Sequence, residues 1–181
     1  MLEKVPDAYA FVVGGVPAGD HDYETALHSL AADLGIADRL VFTGYRADLP
    51  DILKVLDVVV HASVQPEPFG RVIVEAMAMG RPVVASNAGG PTEIIDDGQT
   101  GFLVPPNDDE ALATRIVELL QDPTMAERIG EAGRRAAVEK FSAESHVRLV
   151  KEVYAKVLGP RWASLVSQRL IPHVSPTDRG R

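Results

Sequence analysis

Cysteine is absent from the 181 residues, which excludes disulfide staples, thiolate metal sites and a cysteine nucleophile, and is compatible with a reducing compartment. No apolar run approaches the roughly 20 residues that span a bilayer. The start, Met1-Leu2-Glu3-Lys4-Val5-Pro6, has no apolar signal core. A soluble, cytoplasmic chain is therefore expected. A nucleophilic serine in a Gly-x-Ser-x-Gly elbow is missing. Gly14-Gly15 with Gly19 fits neither a dinucleotide fingerprint nor a P-loop, and no Lys-Ser or Lys-Thr pair follows. His21, His28, His146 and His173 form no metal-ligand spacing with one another or with nearby carboxylates, so no metal site is expected. Positive charge is scarce in the body of the chain. The net charge is −8, and the tail from Gly159 holds four arginines against one aspartate, which leaves the rest near −11. Such an acidic body excludes nucleic acid as its partner.

A 46% hydrophobic, 24% charged composition is that of an ordinary soluble domain. Short apolar runs alternate with helical patterns, the signature of an α/β, doubly wound parallel sheet of Rossmann-like type. The pattern predicts strands at 9–14, 40–43, 57–62, 82–86 and 101–104. It predicts helices at 22–35, 48–55, 70–80, 91–96, 108–121, 124–139 and 142–158. Ligands of such sheets bind outside the carboxyl ends of the strands, here the loops 14–21, 44–48, 63–69 and 87–92. The tail, Gly159 to Arg181, opens on Gly-Pro and carries Pro172 and Pro176. It reads as a basic, solvated, flexible extension with room for a short helix at 163–170. Its partly amphipathic character would also suit a docking partner or a peripheral place at the inner membrane surface.

The segment Pro66-Glu67-Pro68-Phe69-Gly70-Arg71-Val72-Ile73-Val74-Glu75-Ala76-Met77-Ala78-Met79-Gly80 sets two glutamates eight positions apart. Pro68 and Gly70 break any preceding element, and Val72, Ile73, Ala76 and Met77 repeat as one helical face. A helix therefore starts near Phe69 or Gly70, with amides that lack intrahelical acceptors and favour an anion such as a diphosphate. Glu75 follows about 7 Å further along the axis, within reach of a ribose diol, and a carboxylate accepts from two vicinal hydroxyls. The helix is apolar on nearly every side, which predicts burial. Arg71, one turn before Glu75, is the plain structural partner for its carboxylate, in the less favourable order of charges. Taken alone, Glu67 reads as a solvated loop charge, and His61, on the strand leading to the motif, reads as a satisfied core histidine ahead of the alternative, a residue that reaches the site. Gly89-Gly90-Pro91-Thr92-Glu93 admits two readings, a tight turn into a helix or a set of free amides facing a diphosphate.

Together with Val41-Phe42-Thr43-Gly44, Gly80-Arg81-Pro82-Val83-Val84-Ala85-Ser86 and Asp97-Gly98-Gln99-Thr100-Gly101-Phe102-Leu103-Val104-Pro105-Pro106, this segment resembles the retaining family 4 glycosyltransferases, over about residues 5 to 158. The resemblance implies one half of a two-domain GT-B architecture, the carboxy-terminal nucleotide-sugar-binding domain at 1–158. It implies that Glu75 binds the donor ribose and that Glu67 contacts the transferred sugar. Phe69 and Gly70 would meet sugar and diphosphate through backbone amides, beside Gly89 and Gly90. Gly44, Tyr45 and Arg46 would hold the base. Arg71 departs from the aliphatic residue expected after Phe-Gly and stands in the donor pocket. The donor would be a nucleoside-diphosphate sugar, UDP- or GDP-linked, with no cofactor. The acceptor would be a glycan, lipid or small molecule. By the same resemblance the domain's first strand, with an arginine and a lysine that neutralise the leaving diphosphate, lies before Met1, as does a separate amino-terminal domain. The chain would then be a fragment, inactive by itself. The alternative is a non-catalytic nucleotide-sugar binding or regulatory module, with a sugar-nucleotide epimerase as a third reading.

Overall fold

The computed structural model describes residues 1–15 and 21–162. Most of the loop expected at 14–21, Gly19 included, and the tail beyond Trp162 with its expected helix at 163–170 lie outside the described residues. In chain order the elements are β1 (Ala10–Val13), α1 (His21–Asp33), β2 (Leu40–Gly44), α2 (Leu49–Val55), β3 (Val59–His61), α3 (Arg71–Ala78), β4 (Val83–Ser86), α4 (Pro91–Ile94), β5 (Phe102–Val104), α5 (Asp109–Gln121), α6 (Pro123–Phe141) and α7 (Ala143–Leu158). Each corresponds to an element expected from the sequence, with no end moved by more than two residues. Local chemistry sets several of those ends. Asp108 Oδ1 accepts from the Ala111 amide at 2.9 Å to open α5, and Ser142 Oγ accepts from the Ser145 amide at 3.2 Å to open α7.

The chain divides into two compact units, Met1–Ala137 and Val138–Arg181. The first holds all the strands among the described residues and a core in which Val84, Phe102, Val104, Leu119 and Ile129 are buried together. All strand pairings are parallel. They fall into two sheets, β1-β2 and β3-β4-β5, where one continuous sheet is expected. The physical reason is that β1 and β3 do not hydrogen-bond to each other. Tyr9, Ala10, Phe11 and Val13 on one side and Val58, Val59 and Val60 on the other instead line one cavity of about 1630 Å³. Burial follows from this. Every residue of β4, paired on both sides, is buried, whereas β1 leaves Ala10, Phe11 and Val12 exposed.

Close packing without side chains positions α3. A Cβ at Gly130 of α6 would overlap the carbonyl oxygen of Gly80, and one at Gly133 would stand 2.9 Å from the Thr100 oxygen. α3 is buried on one face only, through Ile73, Ala76 and Met77. The burial expected on nearly every side is not found, because Arg71 and Ala78 face outward. In the second unit α7 buries no residue fully, and Trp162 stacks on Tyr154 with ring centres 5.4 Å apart.

Candidate active site

β3 ends at His61, and the chain returns through a proline-rich loop to the start of α3. Gly70 caps α3 in the left-handed region, at φ 101°, where a residue with a side chain is strained. Its oxygen accepts from Ile73 N at 3.0 Å and Val74 N at 3.4 Å. The space a side chain would need there is filled by Ile73 Cδ1, 3.0 Å from an ideal Cβ position. Glycine is thus required at this point by conformation and by packing within the protein.

The loop is pinned through its backbone to the turn after β4. Glu67 forms a parallel bridge with Gly89, and the Gly90 amide donates to the Glu67 oxygen at 2.7 Å. A Cβ at Gly89 would overlap Glu67, and one at Gly90 would overlap the backbone of Phe69. The two glycines therefore exist so that two backbone segments can lie against each other. Thr92 N donates to Gly89 O at 3.1 Å and Glu93 N to Gly90 O at 2.9 Å, while Pro91 has no amide proton. The free amides expected at this turn are thus already used inside the protein at Gly90, Thr92 and Glu93.

Glu67, Arg71 and Glu75 line the same cavity as β1 and β3. Arg71 Nε lies 3.3 Å from Glu75 Oε1, so the structural partner foreseen from the i,i+4 spacing is present. Arg71 is 85% exposed, however, and Glu75 Oε2 is buried with no hydrogen-bond partner. Glu67 is not a solvated loop charge. Its Oε2 meets Nε2 of His61, whose side chain is only 13% exposed and whose Nδ1 is buried without a partner. His61 therefore departs from the satisfied core histidine expected, because one ring nitrogen is unpartnered and the other meets Glu67. Its contact with Glu67 crosses a loop whose path cannot be read from spacing, so no local signal marks it.

The remaining expected site residues form other surroundings. Phe69 is 47% exposed beside the Gly90 turn. Gly44 accepts from the Gly14 amide at 3.1 Å, and an ideal Cβ on Gly15 would stand 3.4 Å from the Tyr45 amide, so the ends of β1 and β2 are joined. Tyr45 is 84% exposed. Arg46 grips Asp48 in a two-point fork, Nε to Oδ1 at 2.8 Å and Nη2 to Oδ2 at 2.5 Å. Its hydrogen bond to Arg46 holds the Asp48 carboxyl below its ordinary value, and the same contact raises Arg46. The carboxylate so engaged makes no side-chain cap for α2. Among the described residues no three histidine, aspartate or glutamate side chains stand together as a metal site, and no helix is long and apolar enough to cross a membrane.

Residues 1–136 match the family described as Glycosyl transferases group 1. The chain belongs to that family. It is 32% identical over 160 residues to the lipopolysaccharide core biosynthesis glycosyltransferase LpsE of Rhizobium meliloti, covering 88% of this chain and 44% of LpsE. It is 38% identical over 149 residues to a GDP-mannose-dependent alpha-(1-6)-phosphatidylinositol monomannoside mannosyltransferase of Mycolicibacterium smegmatis, covering 78% of this chain and 38% of that enzyme. Anabaena HepE, solved in complex with UDP, superposes with a TM-score of 0.81 at 35% identity over 86% of this chain and 44% of HepE. The chain thus spans less than half the length of these relatives. Its parallel sheets and helices are those of GT-B glycosyltransferase structures.

Proposed function

We propose that this chain is the donor-binding half of a retaining family 4 glycosyltransferase, which takes a UDP- or GDP-linked sugar and passes the sugar to a hydroxyl of a glycan, lipid or small molecule. The observation that carries the reading is the carboxylate of Glu75, with Oε1 tied to Arg71 and Oε2 buried without a partner on a cavity wall. An unsatisfied buried acceptor costs about 1–3 kcal/mol, and a ribose diol offers it two donors. The left-handed cap at Gly70 opens α3 beside this carboxylate, and the amides of a helix start favour the diphosphate. Glu67 contacts hydroxyls of the transferred sugar. Phe69 lies on the loop held by Gly89 and Gly90. Gly44, Tyr45 and Arg46 meet the base through the backbone, a division of labour supported by the engagement of the Arg46 side chain with Asp48. No protein-bound metal enters this reaction.

In the same reading transfer needs an amino-terminal domain. The chain alone binds donor without turning it over.

Calorimetric titration with UDP, GDP and ADP, beside a Glu75→Ala variant, tests the proposal. One nucleotide should bind the unaltered chain and bind the variant at least about tenfold more weakly. Equal affinity for both proteins, or none for either, would overturn it.

A further inference from the structure

We infer that His61 is a positioning residue that holds Glu67 ready for the sugar portion of the donor. The inference rests on the donor-binding reading above and adds to it a specificity role for a residue of β3.

Three observations carry it. The Nε2 of His61 meets Oε2 of Glu67, a contact that uses one carboxylate oxygen only. An ionised carboxylate can only accept, so Nε2 carries the proton of that hydrogen bond. His61 sits on a strand paired to β4, with its ring 13% exposed, whereas Glu67 sits in a loop and is 32% exposed and lines the cavity. The more buried ring on the strand therefore orients the more exposed side chain on the loop. Finally, Nδ1 of His61 is buried and makes no hydrogen bond. A half-satisfied imidazole is a poor core residue at a position where valine or leucine would carry no such penalty. Its neighbours on β3, Val59 and Val60, are the apolar kind that the strand otherwise uses.

The consequence is preorganisation. An unheld glutamate side chain loses roughly 1.5–2 kcal/mol of rotamer freedom when a ligand fixes it, and a partner that has already fixed it removes most of that cost from binding. The effect must fall on the ligand atoms Glu67 touches, the sugar hydroxyls, and not on the nucleotide held at Glu75.

The test compares UDP with UDP-glucose, and GDP with GDP-mannose, by calorimetry on the full chain and two variants. His61→Leu keeps bulk but removes the donor; His61→Gln keeps an N–H near the Nε2 position. The ratio of sugar-nucleotide to nucleoside-diphosphate affinity should fall about tenfold in His61→Leu, the loss of one charge-assisted hydrogen bond, and recover most of the way in His61→Gln. Nucleoside-diphosphate affinity should stay within about twofold throughout, which also shows that the variants are folded. A ratio that does not move, whether both affinities hold or both drop together, overturns the inference, as does a glutamine variant as impaired as the leucine one. If neither nucleoside diphosphate binds the unaltered chain, the donor-binding reading itself fails and takes this inference with it.

Discussion

At the scale of single residues, the decisive comparison is between Glu75 as half of an ion pair and Glu75 as a ligand acceptor. Arg71 is 85% exposed and stands one turn before the glutamate, an order that contributes at most about 0.5 kcal/mol on a helix. Arg71→Ala should therefore change the free energy of urea unfolding by less than about 0.5 kcal/mol. A loss of several times that would mean that the pair is built for stability. The Arg46–Asp48 fork gives a second residue-scale prediction, with a sign set by Asp48. Its carboxyl lies below the ordinary value of 3.8, first because of the Arg46 hydrogen bond. Its contribution is present above that ordinary value and is lost as pH falls through the lower folded value. A carbon NMR titration of Asp48 should show a midpoint under 3.8, and Arg46→Ala should bring it back up. The Glu67 and Glu75 spacing was legible in the sequence because Pro68, Gly70 and the helical repeat after them are all local signals. The Glu67–His61 contact was not. It depends on how residues 62–66 turn back on themselves, and a histidine in an apolar strand has the same local sequence with or without a carboxylate beside it.

At the scale of elements, every helix and strand among the described residues was foreseen to within a few residues, since 3.6-residue and short apolar periodicities are written locally. Glycine meant more than its sequence context revealed. Gly89 and Gly90 were legible as a turn, but their role as the place where the loop at Glu67 and Phe69 lies against the turn after β4 belongs to tertiary packing. Gly130, in the middle of a helix where glycine costs about 1 kcal/mol relative to alanine, fits the same explanation, because it lies against Gly80. Gly90→Ala and Gly130→Ala should each destabilise the protein by about 3 kcal/mol or more, through overpacking against backbone. Gly35→Ala meets open space at φ 66° and should cost only about 1–2 kcal/mol. Urea unfolding of the three variants checks the ordering. A Gly90 variant as stable as the Gly35 variant would contradict the close approach.

At the scale of the whole molecule, strand identity was legible and strand partnership was not, because pairing is a long-range choice that no window of sequence contains. The α/β class and the parallel sense of the strands follow from alternating elements, yet the division into β1-β2 and β3-β4-β5 emerges only in three dimensions. It should show in amide hydrogen exchange. The β4 amides, between two neighbours and fully buried, should be the slowest, and those of β1 and β2, with β1 largely exposed, should exchange much faster. Similar protection across all the strands would argue for one continuous sheet. The central claim is that a nucleotide sits at the start of α3 against Glu75. Amide NMR of the labelled chain, with UDP and then GDP added, tests it most directly. One nucleotide should shift Gly70, Arg71, Val72 and Glu75, together with Gly44 and Tyr45, and leave α7 unmoved. Shifts confined to α7 and Trp162, or no shift with either nucleotide, would contradict it.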